Sequence, residues 1–411
     1  MCLAALLVPA VPVVAEDSTV VIQGIDIPQD APYALAGVGC SDPYGYSSPQ
    51  LLIRILRGPD TPPAGERSWG FDLPTTDDAI GSITYVDSMA ATTVAGLSLH
   101  SEESATGVAY AIYQAPGDGG TNLWWWGRAA LEEAAGGWHT VDVADRTYSW
   151  TKYDAAEQMP IDSGGSATVG AFLAAHGGDG PGGFAIGFGC NGNLFHTDAW
   201  RVGSPGNVTT YDLEGAQSIT GIDGSTDTVT AGRRVALTGT LTDAGGGLYA
   251  SHDLVLEAKR YGSSTFTQIA TAETGAEGGP ATADVTPTKR TAYRWRYQGS
   301  ESTEGSSSET FRVEVRTAVA ARPVSTVVSV SDPVVVRGAT TPKKPGYTAR
   351  LWRTTANGPV RLASATIKRD GTFRLEANPG KTGTWKLYVT VPAGDGNLAG
   401  KSGTKRVYVV R

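Results

Sequence analysis

Two stretches near the C-terminal end of the chain carry the same landmarks in the same order, separated by a nearly constant distance. Trp385 follows Tyr293 by 92 residues, and Val407 follows Val313 by 94. Each landmark sits in a run where apolar and polar residues alternate (291–297 and 383–389, then 311–315 and 407–410), which is the period of a half-buried strand and not of a helix. Asp370 and Gly371 add a tight turn between two such runs. A repeat of this size, built from short strands and turns, has the length of a two-sheet β-sandwich of about 100 residues. The duplication therefore sets two units, 217–316 and 322–411.

The motifs inside these units are specific. Thr230, Ala231 and Gly232 precede the alternating run 234–239; TAYRWRY follows at 291–297 and FRVEV closes at 311–315. This succession resembles the bacterial immunoglobulin-like (Ig-like) repeats of secreted actinobacterial-type surface proteins, where a tyrosine-bearing strand precedes a loop and the final strand. The resemblance covers roughly the last 195 residues and implies a fold, not an activity.

Residues 16–213 read as a third, larger sandwich. Short apolar or alternating runs fall at 51–56, 83–86, 94–99, 107–113, 123–126, 138–143, 148–153, 168–173, 184–188 and 199–202, with Gly, Pro, Asp and Ser between them. The 53 glycines and 18% charged residues favour many turns over long helices. Only 128–135 (RAALEEAA) has helical propensity. Segments 183–203 and 138–153 loosely resemble the closing and middle strands of galactose-binding-like jelly rolls. The expected fold class is all-β: an N-terminal jelly-roll-like β-sandwich followed by two Ig-like β-sandwich domains.

Residues 1–15 (MCLAALLVPAVPVVA) are apolar, end in small residues and run into Glu16 and Asp17, as a secretory signal peptide does, although no Lys or Arg precedes the apolar part. The stretch is shorter than the roughly 20 residues of a membrane span, and the mature chain has no other candidate. Secretion to an extracellular, cell-wall-associated location follows as an expectation. Cys40 and Cys190 then remain, and an oxidising compartment favours a disulfide between them over two buried free thiols.

Charge is uneven. Residues 1–212 hold 24 acidic and 7 basic side chains, net −17, and residues 213–411 hold 17 and 26, net +9. A basic part of this kind can orient on an anionic cell wall, or it can serve solubility alone. The cations of the second half are spread singly along strands and lack the clustering of a nucleic-acid groove, so no nucleic acid partner is expected.

Familiar chemistry is missing from the motifs. There is no Gly-x-Ser-x-Gly elbow, and His100, His139, His176, His196 and His252 have no His-Glu-x-x-His spacing. Glu102–Glu103, Glu132–Glu133 and Asp77–Asp78 are adjacent, so on a strand each pair points to opposite faces, unlike the two carboxyl groups of a glycosidase about 5 to 9 Å apart. A pair distant in sequence, such as Glu66 with Asp198, remains open as an unrecognised hydrolase site.

The run Trp124, Trp125, Trp126 is the most informative local feature. On a strand the outer two share one face and Trp125 takes the other. Indole faces stack on sugar C–H faces, so an exposed pair makes a glycan platform, while the opposite face packs in the core. Trp138, Trp150 and Trp200 read as core. From the jelly-roll resemblance, Asp198 stands where such domains place a structural calcium ligand; Asp42 is the one further candidate, short of the six to eight oxygens calcium takes. No other cofactor is implied. The expected function is that of a non-catalytic extracellular structural or adhesion protein, with a carbohydrate-binding module for cell-wall or environmental glycan as the alternative and a glycan-active hydrolase as the third.

Overall fold

The computed structural model describes residues 16–25, 27, 31–49 and 52–411. The leader-like segment 1–15, with Cys2, lies outside them. The protein is all-β, and among the described residues no helix is long and apolar enough to cross a membrane. Two compact units form: one runs to Gln217 and includes Ser300–Glu304, the other holds Ser218–Gly299 and Gly305–Arg411.

In chain order the first unit has strands β1 (Ser18–Gln23), β2 (Tyr33–Gly39), β3 (Leu52–Leu56), β4 (Ser68–Asp72), β5 (Asp78–Val86), β6 (Val94–Ser101), β7 (Ala105–Tyr113), β8 (Leu123–Glu133), β9 (Gly136–Asp142), β10 (Thr147–Asp154), β11 (Met159–Thr168), helix α1 (Val169–Ala175), β12 (Gly182–Phe188), β13 (Phe195–Ser204) and β14 (Asn207–Glu214). One sheet runs β11-β10-β8-β7-β12-β5-β2. The other runs β1-β14-β13-β4-β3, with β6 and β9 added beside β13. A single core fills the space between them, with Trp69, Phe71, Leu97 and Trp200 from the second sheet meeting Tyr113, Trp150, Phe184 and Phe188 from the first. Burial of these large side chains is the main term holding the sandwich closed.

Two local expectations fail for identifiable reasons. Residues 128–135 are not helical, because 123–133 form β8, hydrogen-bonded to β7 along its length and to β10 over half of it. Trp125, Gly127, Ala129 and Leu131 are all buried while their neighbours are not, so the period of two overrides the propensity of Ala, Leu and Glu. The apolar run 168–173 reads as a strand, yet 169–175 form α1. Thr168 Oγ1 accepts a hydrogen bond from the Ala171 amide at 3.4 Å and caps it. Val169, Phe172 and Leu173, at helical spacing, then enter the core, and Phe172 stacks on Trp150 at 4.0 Å.

The second unit contains two Ig-like sandwiches. In each, a three-stranded sheet (Ser218–Gly224, Val235–Asp243, Ala281–Val285; then Ala318–Pro323, Val334–Thr341, Thr372–Ala377) faces a larger sheet. The larger sheets are centred on Thr291–Tyr297 and Gly383–Val391, the strands that hold Tyr293 and Trp385. Each sandwich has its own core, around Trp295 in the first and around Trp385, Leu387 and Val389 in the second. The Asn397 amide donates to the carbonyls of Thr288 and Val315, and the Arg290 amide donates to the Gly396 carbonyl, so a loop of the last sandwich is hydrogen-bonded to the one before it.

Candidate functional site

The outward face of the β2–β11 sheet is apolar across β8, β7, β12, β5 and β2, which the sequence of an exposed sheet face does not require. Val38, Ala79, Ile83, Val108, Tyr110, Ile112 and Ala185 form a second buried cluster there, with Trp124 and Trp126 packed against it. Residues 40–46 cross this face and make one wall. Four contacts hold them: the Cys40–Cys190 disulfide, with Cα atoms 5.9 Å apart, Arg128 Nε donating to the Cys40 carbonyl at 2.7 Å, the Tyr110 hydroxyl donating to the Gly39 carbonyl at 2.7 Å, and Asp42 Oδ1 accepting from the Tyr44 amide at 3.0 Å. Gly37 lets the wall lie close, because a Cβ there would stand 2.4 Å from the Tyr46 ring. Beyond the wall, Asp78 accepts from the Ser47 amide and from the Ser47 and Thr75 hydroxyls. Burial alone would raise its pKa, but these donors hold it below the usual carboxylate range.

What remains open is a trough of about 510 Å³ lined by Ala34, Ala36, Pro43, Tyr44, Ile83, Tyr85, Ile112, Trp124 and Trp126. The Tyr44 ring lies 5.5 Å from Trp126 and 5.4 Å from Tyr153. Trp124 and Trp126 are half-buried and Tyr85 is 59% exposed, so the aromatic faces reach the surface at the rim. Trp126 Nε1 is buried without a hydrogen bond of ordinary geometry. Burial raises the pKa values of Tyr44, Tyr85 and Tyr153, which keeps their hydroxyls protonated donors.

Trp125 points the other way, into the core, 5.1 Å from Phe172 and 4.9 Å from His176. Trp150 and Trp200 are also core, whereas Trp138 is half-buried and donates from Nε1 to the Pro59 carbonyl. Tyr44, Tyr85 and Tyr153 were not singled out in the sequence. Of the three, only Tyr44 leaves a trace there, in the tyrosine-bearing segment CSDPYGYSS that begins at Cys40.

The two calcium candidates lie in different places. Asp42 belongs to the trough wall. Asp198 lies on β13, on the outer face of the opposite sheet, fully buried beneath residues 58–67, with its oxygens accepting from the amides of Ala64 at 2.8 Å and Leu213 at 3.2 Å. Among the described residues no group of three or more His, Cys, Asp or Glu is gathered to hold a metal. Glu66 turns to the surface toward Arg57 while Asp198 is enclosed, so that pair does not flank a cleft. His100 and His196 are buried side by side on this sheet, and burial pushes His196 down to about 4.

Burial pushes Asp198 from an ordinary 3.8 up to about 7, despite its amide donors, and pushes Asp212 up to about 6, with Glu214 and Glu304 adding to the effect. Between pH 4 and 7 these two carboxyl groups therefore hold protons in the folded chain that they lose on unfolding, which outweighs the single proton that His196 takes up on unfolding below about pH 6.5. The stabilisation is fully present below about pH 4 and disappears as pH rises through 7. The expected result is a melting temperature for the first unit that falls from pH 5 to pH 8, and an Asp198→Asn variant in which roughly 3 kcal/mol of that dependence is gone. Melting curves for both proteins that run parallel over this range refute it.

No family model matches this chain, and no curated protein matches it. Solved structures do: the adhesin InvE of Yersinia pseudotuberculosis (12% identity, 46% of this chain and 58% of that one, TM-score 0.22), a red sea bream transglutaminase (11%, 47% and 31%, 0.26) and the FdeC adhesin of Escherichia coli (14%, 64% and 92%, 0.25). The chain thus spans less than two thirds of the first two. At such values the similarities carry no information on activity or partners.

Proposed function

We propose that the protein is a non-catalytic extracellular adhesion protein, in which the first sandwich holds a ligand in its aromatic trough and the Ig-like sandwiches act as spacers. The observation supporting this reading is the trough itself: an apolar floor on an outward sheet face, walled by a disulfide-anchored loop and rimmed by half-exposed rings, a form that suits ligand capture. The disulfide fits an oxidising, extracellular setting, as does the apolar leader-like segment 1–15.

A second reading, recognition of a cell-wall or environmental glycan, is favoured by one specific arrangement. Trp124 and Trp126 occupy alternate positions of β8 on the trough side, so their rings offer flat surfaces for sugar C–H faces beside Tyr85. A glycan array probed with the full chain tests it. Wild type is expected to bind a saccharide that Trp124→Ala plus Trp126→Ala binds at least roughly tenfold more weakly, with the far-UV circular dichroism unchanged. An array that retains no wild-type protein, or retains the double variant equally well, removes the glycan reading. Turnover of a bound polysaccharide would overturn the non-catalytic one.

A further inference from the structure

The positive charge of the second half is concentrated in the last sandwich. Residues 322–411 carry 16 Lys and Arg against 4 Asp and Glu, net +12, whereas 213–321 carry 10 against 13, net −3. Register gathers much of this charge on one face of the larger sheet. Directly opposed residues of an antiparallel pair point to the same side. Trp352 stands opposite both Arg361 and Tyr388, Thr390 opposite both Arg350 and Lys401, and Lys386 opposite Arg406. The alternate positions Leu351, Leu387, Val389, Val407 and Val409 fill the core, so Arg350, Arg361, Lys386, Lys401 and Arg406 all lie on the outward face.

Three features separate this face from an ordinary solvated one. None of the five cations forms an ion pair among the described residues, and the four acids of the sandwich lie elsewhere: Asp332, Asp370 and Asp395 in turns or loops, and Glu376 on the other sheet beside Arg374. Lys386 and Arg406 are a directly opposed like-charge pair, an arrangement that costs stability unless an anion neutralises it. Aromatic rings lie among the charges. Trp352 and Tyr388 are nearly parallel, 10° apart with centroids at 6.4 Å; Trp352 is fixed by its Nε1 hydrogen bond to Thr390 Oγ1, and Lys401 Nζ sits 4.3 Å above Tyr388. Tyr408, 47% exposed, continues the row.

We propose that this face binds an anionic polysaccharide, with a pyranose ring laid against the Trp352 and Tyr388 pair and the carboxylate, sulfate or phosphate substituents met by Arg350, Arg361, Lys386, Lys401 and Arg406. Charge complementarity supplies attraction along an extended chain, and the rings supply contacts that a simple counterion does not use. A disulfide-bonded protein works outside the reducing cell interior, where acidic glycans are the common polyanions. The site is separate from the trough, and either proposal stands without the other.

Affinity electrophoresis of the full chain through gels containing polygalacturonate, heparin or neutral dextran tests it. Retardation is expected with at least one acidic polymer and not with dextran, and it should fall steeply as salt rises. Lys386→Glu plus Arg406→Glu should abolish it. Trp352→Ala plus Tyr388→Ala, which leaves the charge unchanged, should weaken it roughly tenfold. Arg322→Gln plus Arg337→Gln, which removes two charges from the opposite sheet, should leave it largely intact. Variants are compared only where their melting temperatures show a folded chain, and Tyr388→Phe, which keeps the ring, should bind as wild type and serves where the Ala pair does not fold. Mobility unaffected by every acidic polymer overturns the proposal. So does loss in the opposite-sheet variant equal to that in the Lys386 and Arg406 variant, or tighter binding of single-stranded DNA than of either glycan.

Discussion

Reduction of the Cys40–Cys190 disulfide should destabilise the first unit by roughly 4 to 5 kcal/mol on the chain-entropy account of a closed loop this long. The bridged residues are 150 apart in sequence, so the cross-link removes a large part of the freedom of the unfolded chain. Urea denaturation with and without a phosphine reductant, and of Cys40→Ser plus Cys190→Ser, reads the change. With a slope of about 2 to 3 kcal/mol per molar urea, the midpoint of the first unit should drop by roughly 2 M. The second unit contains no cysteine and provides an internal reference. The same bridge anchors the 40–46 wall, so reduction should also weaken any ligand held in the trough. A midpoint shift below about 0.5 M would show that the native packing, and not the cross-link, supplies the stability.

Arg67→Met should cost roughly 3 to 5 kcal/mol at pH 8, because it strands buried negative charge. The Arg67 guanidinium is fully buried, pairs with Glu214 at 3.2 Å and with Glu304, and donates to the carbonyls of Ser300 and Glu301 at 3.0 Å and of Thr303 at 3.2 Å. Asp212 stands close enough to Asp198 to raise its pKa, and the pKa of Asp212 is itself raised by burial and by Glu214 and Glu304. Protonation of Asp212, whose pKa is already raised to about 6, relieves part of that stranded charge, and the penalty should shrink as pH falls from 8 to 5. A variant as stable as wild type at pH 8 would mean that the cluster is screened by water and that Arg67 neutralises little.

The fold class was legible because it rests on alternation. Wherever one sheet face is buried, as along Gly383–Val391, the sequence reads apolar-polar and the strand follows. The duplicated landmarks worked for the same reason. Local propensity was the weaker guide, as β8 and α1 show: the pairing of β8 with β7 and β10, and the packing of Phe172 on Trp150, are contacts between distant residues that no short window contains. The candidate site was legible in one strand alone. Trp124 and Trp126 could be assigned to one face from parity, but Tyr44, Tyr85 and Tyr153 join them only through the order β10-β8-β7-β12-β5-β2, a product of topology. Arg67 was invisible for a different reason, since a lone arginine in a Pro- and Gly-rich stretch looks like surface until its partners from residues 214 and 300–304 are in place.

In each of the three sandwiches an early strand and the last one run side by side in parallel. Ser18–Gln23 lies along Thr209–Glu214, Thr228–Thr230 along Glu314–Arg316, and Val327–Ser329 along Tyr408–Val410. Tension applied at the two ends of such a sandwich drags those neighbours lengthwise past each other, loading all their hydrogen bonds at once instead of opening them one after another. A tether anchored at one end and hauled at the other thus meets a mechanical clamp in every module, and extension is resisted by shear.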